Sequence, residues 1–308
     1  MAFPVNTSPA FPQHSGTYIP TLYASMLLVE FYKASVFSEI SNTEHEGELQ
    51  KFGDTLKIRT LPDVTINDYA KGQTLTYETP EGGEVDLLIN KGKYWAMAIN
   101  ALDVKQMDID HAQKWAVHAS EKLKVSIDGD VLQNIYTEAP AANKGAAAGA
   151  ISGSINLGST GAPLSLTKTN IVDAIVDAGV VLDEQNVPEQ DRWVTLPAWA
   201  CALIKTSELK DASLTGDGVS TLRNGMVGMI DRFKIYCTNN LSNVTDGSDT
   251  VSNSMFGWKG STAFASQMTN TETIDNPNDF GQLLRSLQAY GYKVTKPEGL
   301  GHLYITKG

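Results

Sequence analysis

The segment from Asp103 to Glu138 constrains this chain more than any other, because it is its longest periodic run. Ile109, Ala112, Ala116, Ala119, Leu123, Ile127, Val131 and Ile135 recur at steps of 3, 4, 3, 4, 4, 4 and 4, which keeps them on one face of an α-helix. The mean step is too long for a left-handed coiled coil. Asp103 with Gln106 resembles a capping box, so the spacing predicts a helix from about Val104, stopped by Pro140. Glu121 and Lys124 are spaced as a helical ion pair on the opposite face. Such a helix would be a rod of roughly 50 Å, longer than a compact core needs. Gly129 is where it would kink or end early.

The rest of the chain reads as pieces arranged around that strut. Residues 1–19 are proline-rich and aperiodic, which predicts an extended arm. A second helix is expected in PTLYASMLLVEFYKASVFSEI, with Leu22, Met26, Val29, Val36 and Ile40 at helical intervals. From residue 52 to 99 the pattern changes to alternation: TLKIRTL, TLTYET, EVDLLIN and KYWAMAI all read as strands. Between the first two, PDVTINDYAKGQ carries few core residues, so a hairpin would project beyond its lobe and need a neighbour to lie on.

After the strut, AANKGAAAGAISGSINLGSTG reads as a linker or mobile loop. A helix follows with Ile171, Ile175, Ala178 and Leu182 on one face, then RWVTL, a short helix opened by Pro197, and the strands MVGMI and FKIYCT flanking Asp231-Arg232. This alternation indicates a compact α+β lobe. SNVTDGSDTVSNS reads as a low-complexity loop, SMFGW and STAFASQM as strands, and HLYIT as the last strand. Phe280 to Tyr292 fits either a helix or a strand.

Composition excludes several functions. A net charge of −11 with scattered lysines opposes binding to phosphates. No apolar run is long enough to cross a bilayer, and the start lacks the basic and apolar regions of a secretory signal, so a cytosolic protein is expected. The two cysteines, Cys201 and Cys237, read as buried free thiols. Five histidines are dispersed, and only His111 and His118 share a helix face, at a spacing unsuited to a metal. There is no phosphate-cradling glycine loop and no nucleophile elbow, and the abundant acids read as a solvated surface rather than a glycosidase pair. Trp193, Trp199 and Trp258 each sit in an apolar run and read as core rather than as a carbohydrate platform. No catalytic or metal site and no cofactor is expected.

Arm, helix, protruding hairpin, long strut, α+β lobe and return to strands occur in the order found in one family. LLVEFYKASVFSEI, FGDTLKIRTLPDVTINDYAKGQ, RWVTLPAWACALI, LRNGMVGMIDRFKIYCTNNL and FGQLLRSLQAYGYKV carry the likeness, and together the chain resembles the major capsid proteins of tailed bacteriophages with the Hong Kong 97-like fold. The resemblance implies an α+β architecture in four parts: an N-terminal arm and first helix (1–45), an extended loop (46–98), a peripheral domain (99–165 and 253–292) with a spine helix at 104–138, and an axial domain (166–252 and 293–308). It also implies that Phe280 to Val294 is a strand. Implied partners are further copies of the chain in pentamers and hexamers, a portal protein, a separate scaffolding protein, and double-stranded DNA enclosed without sequence-specific binding, with no membrane. The expected location is the virion, after assembly in the host bacterial cytoplasm. In the extended loop Arg59, Asp63, Lys71 and Glu78 are the candidates for charge pairing with an adjacent subunit. An encapsulin-type nanocompartment shell and a hydrolase with an unrecognised site are the competing readings.

Overall fold

A computed structural model describes residues 36–44, 55–60, 62, 64–79, 81–101, 111–207, 228–277 and 279–308. The expected arm, most of the expected first helix, the Asp103 cap and the 208–227 loop lie outside the described residues.

The strands form three sheets. The strand β1 (Thr55–Arg59) pairs antiparallel with β2 (Glu84–Leu88). A three-stranded antiparallel sheet follows the order β10 (Thr262–Asp275), β11 (Gly281–Val294), β3 (Lys91–Asn100). The third sheet has seven strands. Its order is β4 (Leu164–Leu166), β12 (Leu300–Lys307), β9 (Asp249–Trp258), β5 (Arg192–Leu196), β7 (Phe233–Cys237), β6 (Met229–Ile230), with β8 (Asn243–Asp246) beside β9.

The described helices are α1 (Phe37–Ile40), α2 (His111–Leu132), α3 (Ile171–Glu184) and α4 (Ala198–Thr206). Ile171, Ile175, Ala178 and Leu182, the predicted face of α3, are all buried against the seven-stranded sheet. Each of the three larger side chains contributes about 1.5–3 kcal/mol by leaving water. Every residue of β5 is buried because the sheet is covered on both faces: Val194 and Leu196 join the α3 and α4 core, while Trp193 points into a second core with Val131, Leu132 and Leu300. Trp199 and Trp258 pack at the margin of the first core. Asp231 and Arg232, both at positive φ, make the two-residue turn from β6 to β7.

Several expectations are corrected. The helix α2 runs through Gly129 but ends at Leu132, and Ile135–Glu138 is a 3-10 turn rather than its last stretch. The cause is local: Asn134 Nδ2 takes the Asp130 carbonyl at 2.6 Å, the acceptor an α-helical Asn134 amide would use, and that amide donates to Val131 O instead. The segment after it is not a loose linker. Asn143 Nδ2 donates to Glu298 O at 2.7 Å and Leu300 O at 3.0 Å, Ala148 and Ile155 exchange backbone hydrogen bonds, and Ala148 and Leu157 are fully buried. Gly158, at φ +84°, lies so close to Tyr304 O that a Cβ would collide with it.

SNVTDGSDTVSNS is a hairpin, not a loop: β8 turns at Gly247 into β9. Its polar residues hide a central strand because they are satisfied internally. Ser252 Oγ donates to Asn243 Oδ1 at 2.7 Å, and Asn253 pairs with Ser242 O and with His302. TLTYET forms no strand, since the partner of β1 is EVDLL. Finally, the cysteines are not free thiols but a disulfide, Cys201–Cys237. The chain from β5 through Pro197 into α4 brings Cys201 back beside the end of β7, a proximity that sequence spacing does not reveal. Phe280 to Val294 contains the strand β11 that the family resemblance implied.

Candidate assembly surfaces

The hairpin base is well tied. Arg59 stands opposite Glu84 in register, Lys57 pairs with Glu84 at 2.7 Å, and the Thr60 amide donates to Gly83 O at 2.8 Å. Lys57 is the chief reason the Glu84 carboxyl is held below the usual carboxylate range. Beyond the base, described residues 64–79 are all exposed and in no strand. The two limbs are tied by the Thr65 amide, which donates to Glu78 Oε1 at 2.7 Å. The tip turns at Lys71-Gly72, with Gly72 at φ +91° and the Gln73 amide bonded to Ala70 O.

The four predicted contact residues therefore do not form one cluster. Arg59 is at the base, Glu78 is spent on the Thr65 amide, Lys71 is at the tip, and Asp63 lies outside the described residues. The more informative residues are apolar and were missed: Ile66 is 90% exposed, Tyr69 70% and Tyr77 89%. The signal was present as period-2 alternation in VTI and LTY, but alternation alone does not say which side chains lack a core.

A second surface lies on the three-stranded sheet. Tyr94, 76% exposed, is register partner to the exposed Leu287 on its outward face. Arg285 and Glu272, also directly opposed, make an ion pair at 2.7 Å. On the other face Trp95 and Met97 meet Trp115 and Leu123 of α2 across a groove, with Lys93 Nζ donating to Ser126 O and Oγ at 2.7 Å. Exposed apolar patches are a general feature of interaction surfaces.

Polar side chains, Asp128 and Arg192 buried and Asp130 partly so, tie distant segments together, and sequence reasoning missed all of them. Asp128 Oδ1 accepts from the amides of Val36 and Phe37, both at 2.8 Å. Asp130 Oδ2 receives Lys91 Nζ at 2.8 Å and Tyr290 OH at 3.0 Å. Burial alone would raise the Asp130 carboxyl, but these donors outweigh it and hold it below its ordinary range. Arg192, fully buried, pairs with Asp183 at 2.7 Å and donates to Val187 O and Pro188 O. The one legible sign was acidic or basic residues inside otherwise apolar patterns.

Among the described residues no group of His, Cys, Asp and Glu could hold a metal, and no helix is long and apolar enough to cross a membrane. His302 is stacked on Tyr136 and bonded to Asn253, a packing role. Its burial, and then Lys144, push the imidazole pKa down to about 4.

No protein-family profile matches the sequence, and no curated protein does. Solved structures match it along nearly its whole length. It is similar to a chain from Mycobacterium phage Che8, at 25% identity over 93% of this chain and 97% of that one, with a TM-score of 0.74. The capsid of cyanophage P-SCSP1u matches at 15% identity over 100% of both chains, TM-score 0.72. The fold is that of a phage capsid protein. The mature capsid of bacteriophage PhiM1 agrees, at 15% identity over 93% of this chain and 91% of that one, TM-score 0.65. The resemblance to tailed-phage capsid proteins read from local runs thus extends to a capsid-type fold over nearly the whole chain.

Proposed function

We propose that this chain is the major capsid protein of a tailed bacteriophage, with a Hong Kong 97-like subunit that self-assembles through pentamers and hexamers into an icosahedral head around double-stranded DNA. The observation that carries the reading is the hairpin extension at 64–79, which exposes Ile66, Tyr69 and Tyr77, none of them covered among the described residues. Closed assemblies supply that cover by repeating one contact around every axis. The expected domain division, into arm, extended loop, peripheral part around α2 and axial part around the seven-stranded sheet, belongs to this proposal.

In it the extended loop lies across an adjacent subunit, anchored by its apolar side chains. Arg59, Asp63, Lys71 and Glu78 then set register, since exposed ion pairs contribute only about 0–1 kcal/mol each. A portal protein and a separate scaffolding protein are proposed partners, and the virion is the proposed location, reached after assembly in the host cytoplasm. The role is structural and needs no cofactor. An encapsulin-type shell shares the architecture but would hold cargo protein instead of a genome, and no observation favours a hydrolase. Electron microscopy of the purified, full-length protein tests the reading: closed shells are expected, and a protein that stays monomeric under all assembly conditions would refute it.

A further inference from the structure

The single disulfide among the described residues has no part in the surfaces above, and its setting is unusual for a protein made inside a cell. Disulfides persist in oxidising surroundings and are rare where thiol pools keep cysteine reduced. The two sulfurs here do not owe their proximity to the bond. Leu196 and Cys237 are register partners in the parallel pair β5–β7, and the Thr238 amide donates to Leu196 O at 3.0 Å. Pro197 then starts α4, whose first turn closes through Cys201 N to Pro197 O at 3.1 Å. Ala200 and Ile204 on either side of Cys201 are buried in the core. Backbone hydrogen bonds and packing thus set the Cα atoms 6.4 Å apart, within bridging range, whether or not the sulfurs are joined.

The two sulfurs also differ in access. Cys201 is 4% exposed, whereas Cys237, at the end of its strand, is only half-buried. A small reagent reaches Cys237 first.

We propose that Cys201–Cys237 is a thiol–disulfide exchange site for low-molecular-weight disulfides and thiols: the subunit folds and associates as the dithiol, and the bond forms when the assembled protein meets an oxidising medium. The timing, though not the chemistry, rests on the coat-protein reading. In the forward direction the Cys237 thiolate attacks a small disulfide RSSR and expels RS−, which takes up the proton that Cys237 released. The Cys201 thiolate then attacks the Cys237 sulfur of the mixed disulfide, forming the protein bond and expelling the second RS−. Two protein thiols lose two electrons and two protons, and one RSSR becomes two RSH. The bond closes the chain between α4 and β7, so oxidation restricts the unfolded state and leaves the folded lobe where it was.

The test uses the full-length protein. Cells are quenched in trichloroacetic acid, the denatured chain is alkylated with N-ethylmaleimide, and the alkyl adducts are counted by mass spectrometry beside those of released protein incubated with oxidised glutathione and denatured in the same way. The proposal expects two adducts per chain from quenched cells. It expects none from the released protein until dithiothreitol is added, and two afterwards. Dithiothreitol should also lower the melting temperature of the oxidised wild type by several degrees and leave C201S/C237S unmoved. Should that variant not fold, the wild-type shift alone carries the comparison. A disulfide already complete in quenched cells overturns the proposed timing, and thiols that persist after incubation with oxidised glutathione overturn the site. If no particles form, the coat-protein reading fails, while the glutathione reaction of the soluble chain still decides the chemistry.

Discussion

Asn240 donates from its side-chain amide to Asp128 at 2.5 Å, joining the loop between β7 and β8 to the C-terminal end of the long helix. The other oxygen of the same carboxylate holds the backbone amides of Val36 and Phe37, so one buried side chain fixes three segments far apart in sequence. Asp128→Ala would leave two buried amides and the Asn240 donor without that acceptor. The expected loss is roughly 2–4 kcal/mol, since hydrogen bonds to a charged group and buried unpaired donors both weigh heavily. Asp128→Asn, which keeps one carbonyl oxygen, should lose less. Urea unfolding midpoints order the three proteins.

Arg192 poses the same question with the opposite charge. It is fully buried at the head of β5, paired to Asp183 and donating to two carbonyls of the loop that follows α3. Arg192→Ala should destabilise by about 1–3 kcal/mol, because it leaves the Val187 and Pro188 carbonyls without their donor, whereas Asp183, 41% exposed, keeps Arg232 and water. Arg192→Lys should rescue little, for an ammonium cannot reach several acceptors in one plane as a guanidinium does. Equal melting temperatures for Arg192→Lys and wild type would contradict this account.

His302 gives a pH dependence with a defined sign. Its folded pKa of about 4 lies below the ordinary 6.5, so between these values the unfolded chain takes up a proton that the folded chain refuses. The contribution is fully present above pH 6.5, is lost as pH falls, and is gone below about 4. Its size is of the order of 3 kcal/mol. Comparing the stability difference between pH 7 and pH 4 for wild type and His302→Gln isolates it from the carboxylates, and the variant should show the smaller difference.

The exposed loop separates folding from assembly. Ile66→Ser with Tyr77→Ser changes side chains that are 90% and 89% exposed, so subunit stability should move by less than about 0.5 kcal/mol. Assembly yield, read by sedimentation, should fall sharply. A double variant that assembles as wild type does would show that these side chains are not anchors.

Gly158→Ala combines a positive φ with a clash on Tyr304 O, where the backbone cannot yield. A loss of at least about 1 kcal/mol in thermal unfolding is expected.

By itself the sequence determined what depends on local pattern. The α3 face of Ile171, Ile175, Ala178 and Leu182, the buried strand RWVTL, the Pro197 helix start and the long amphipathic helix all follow from period and capping, which act between residues close in the chain. The few core residues in PDVTINDYAKGQ also agree with the exposure of its residues from Val64 to Gln73. What tertiary structure decided were pairings between distant residues. Asn134 ended the helix early through one side-chain bond, and SNVTDGSDTVSNS became a central strand because β12 and β8 supplied partners for its polar groups. Cys201 met Cys237 because two strands ran parallel, and β1 chose EVDLL over TLTYET because the chain between them was left outside the core. Polar and small residues carry little local preference, so their structure is set by whichever buried partner the fold brings to them.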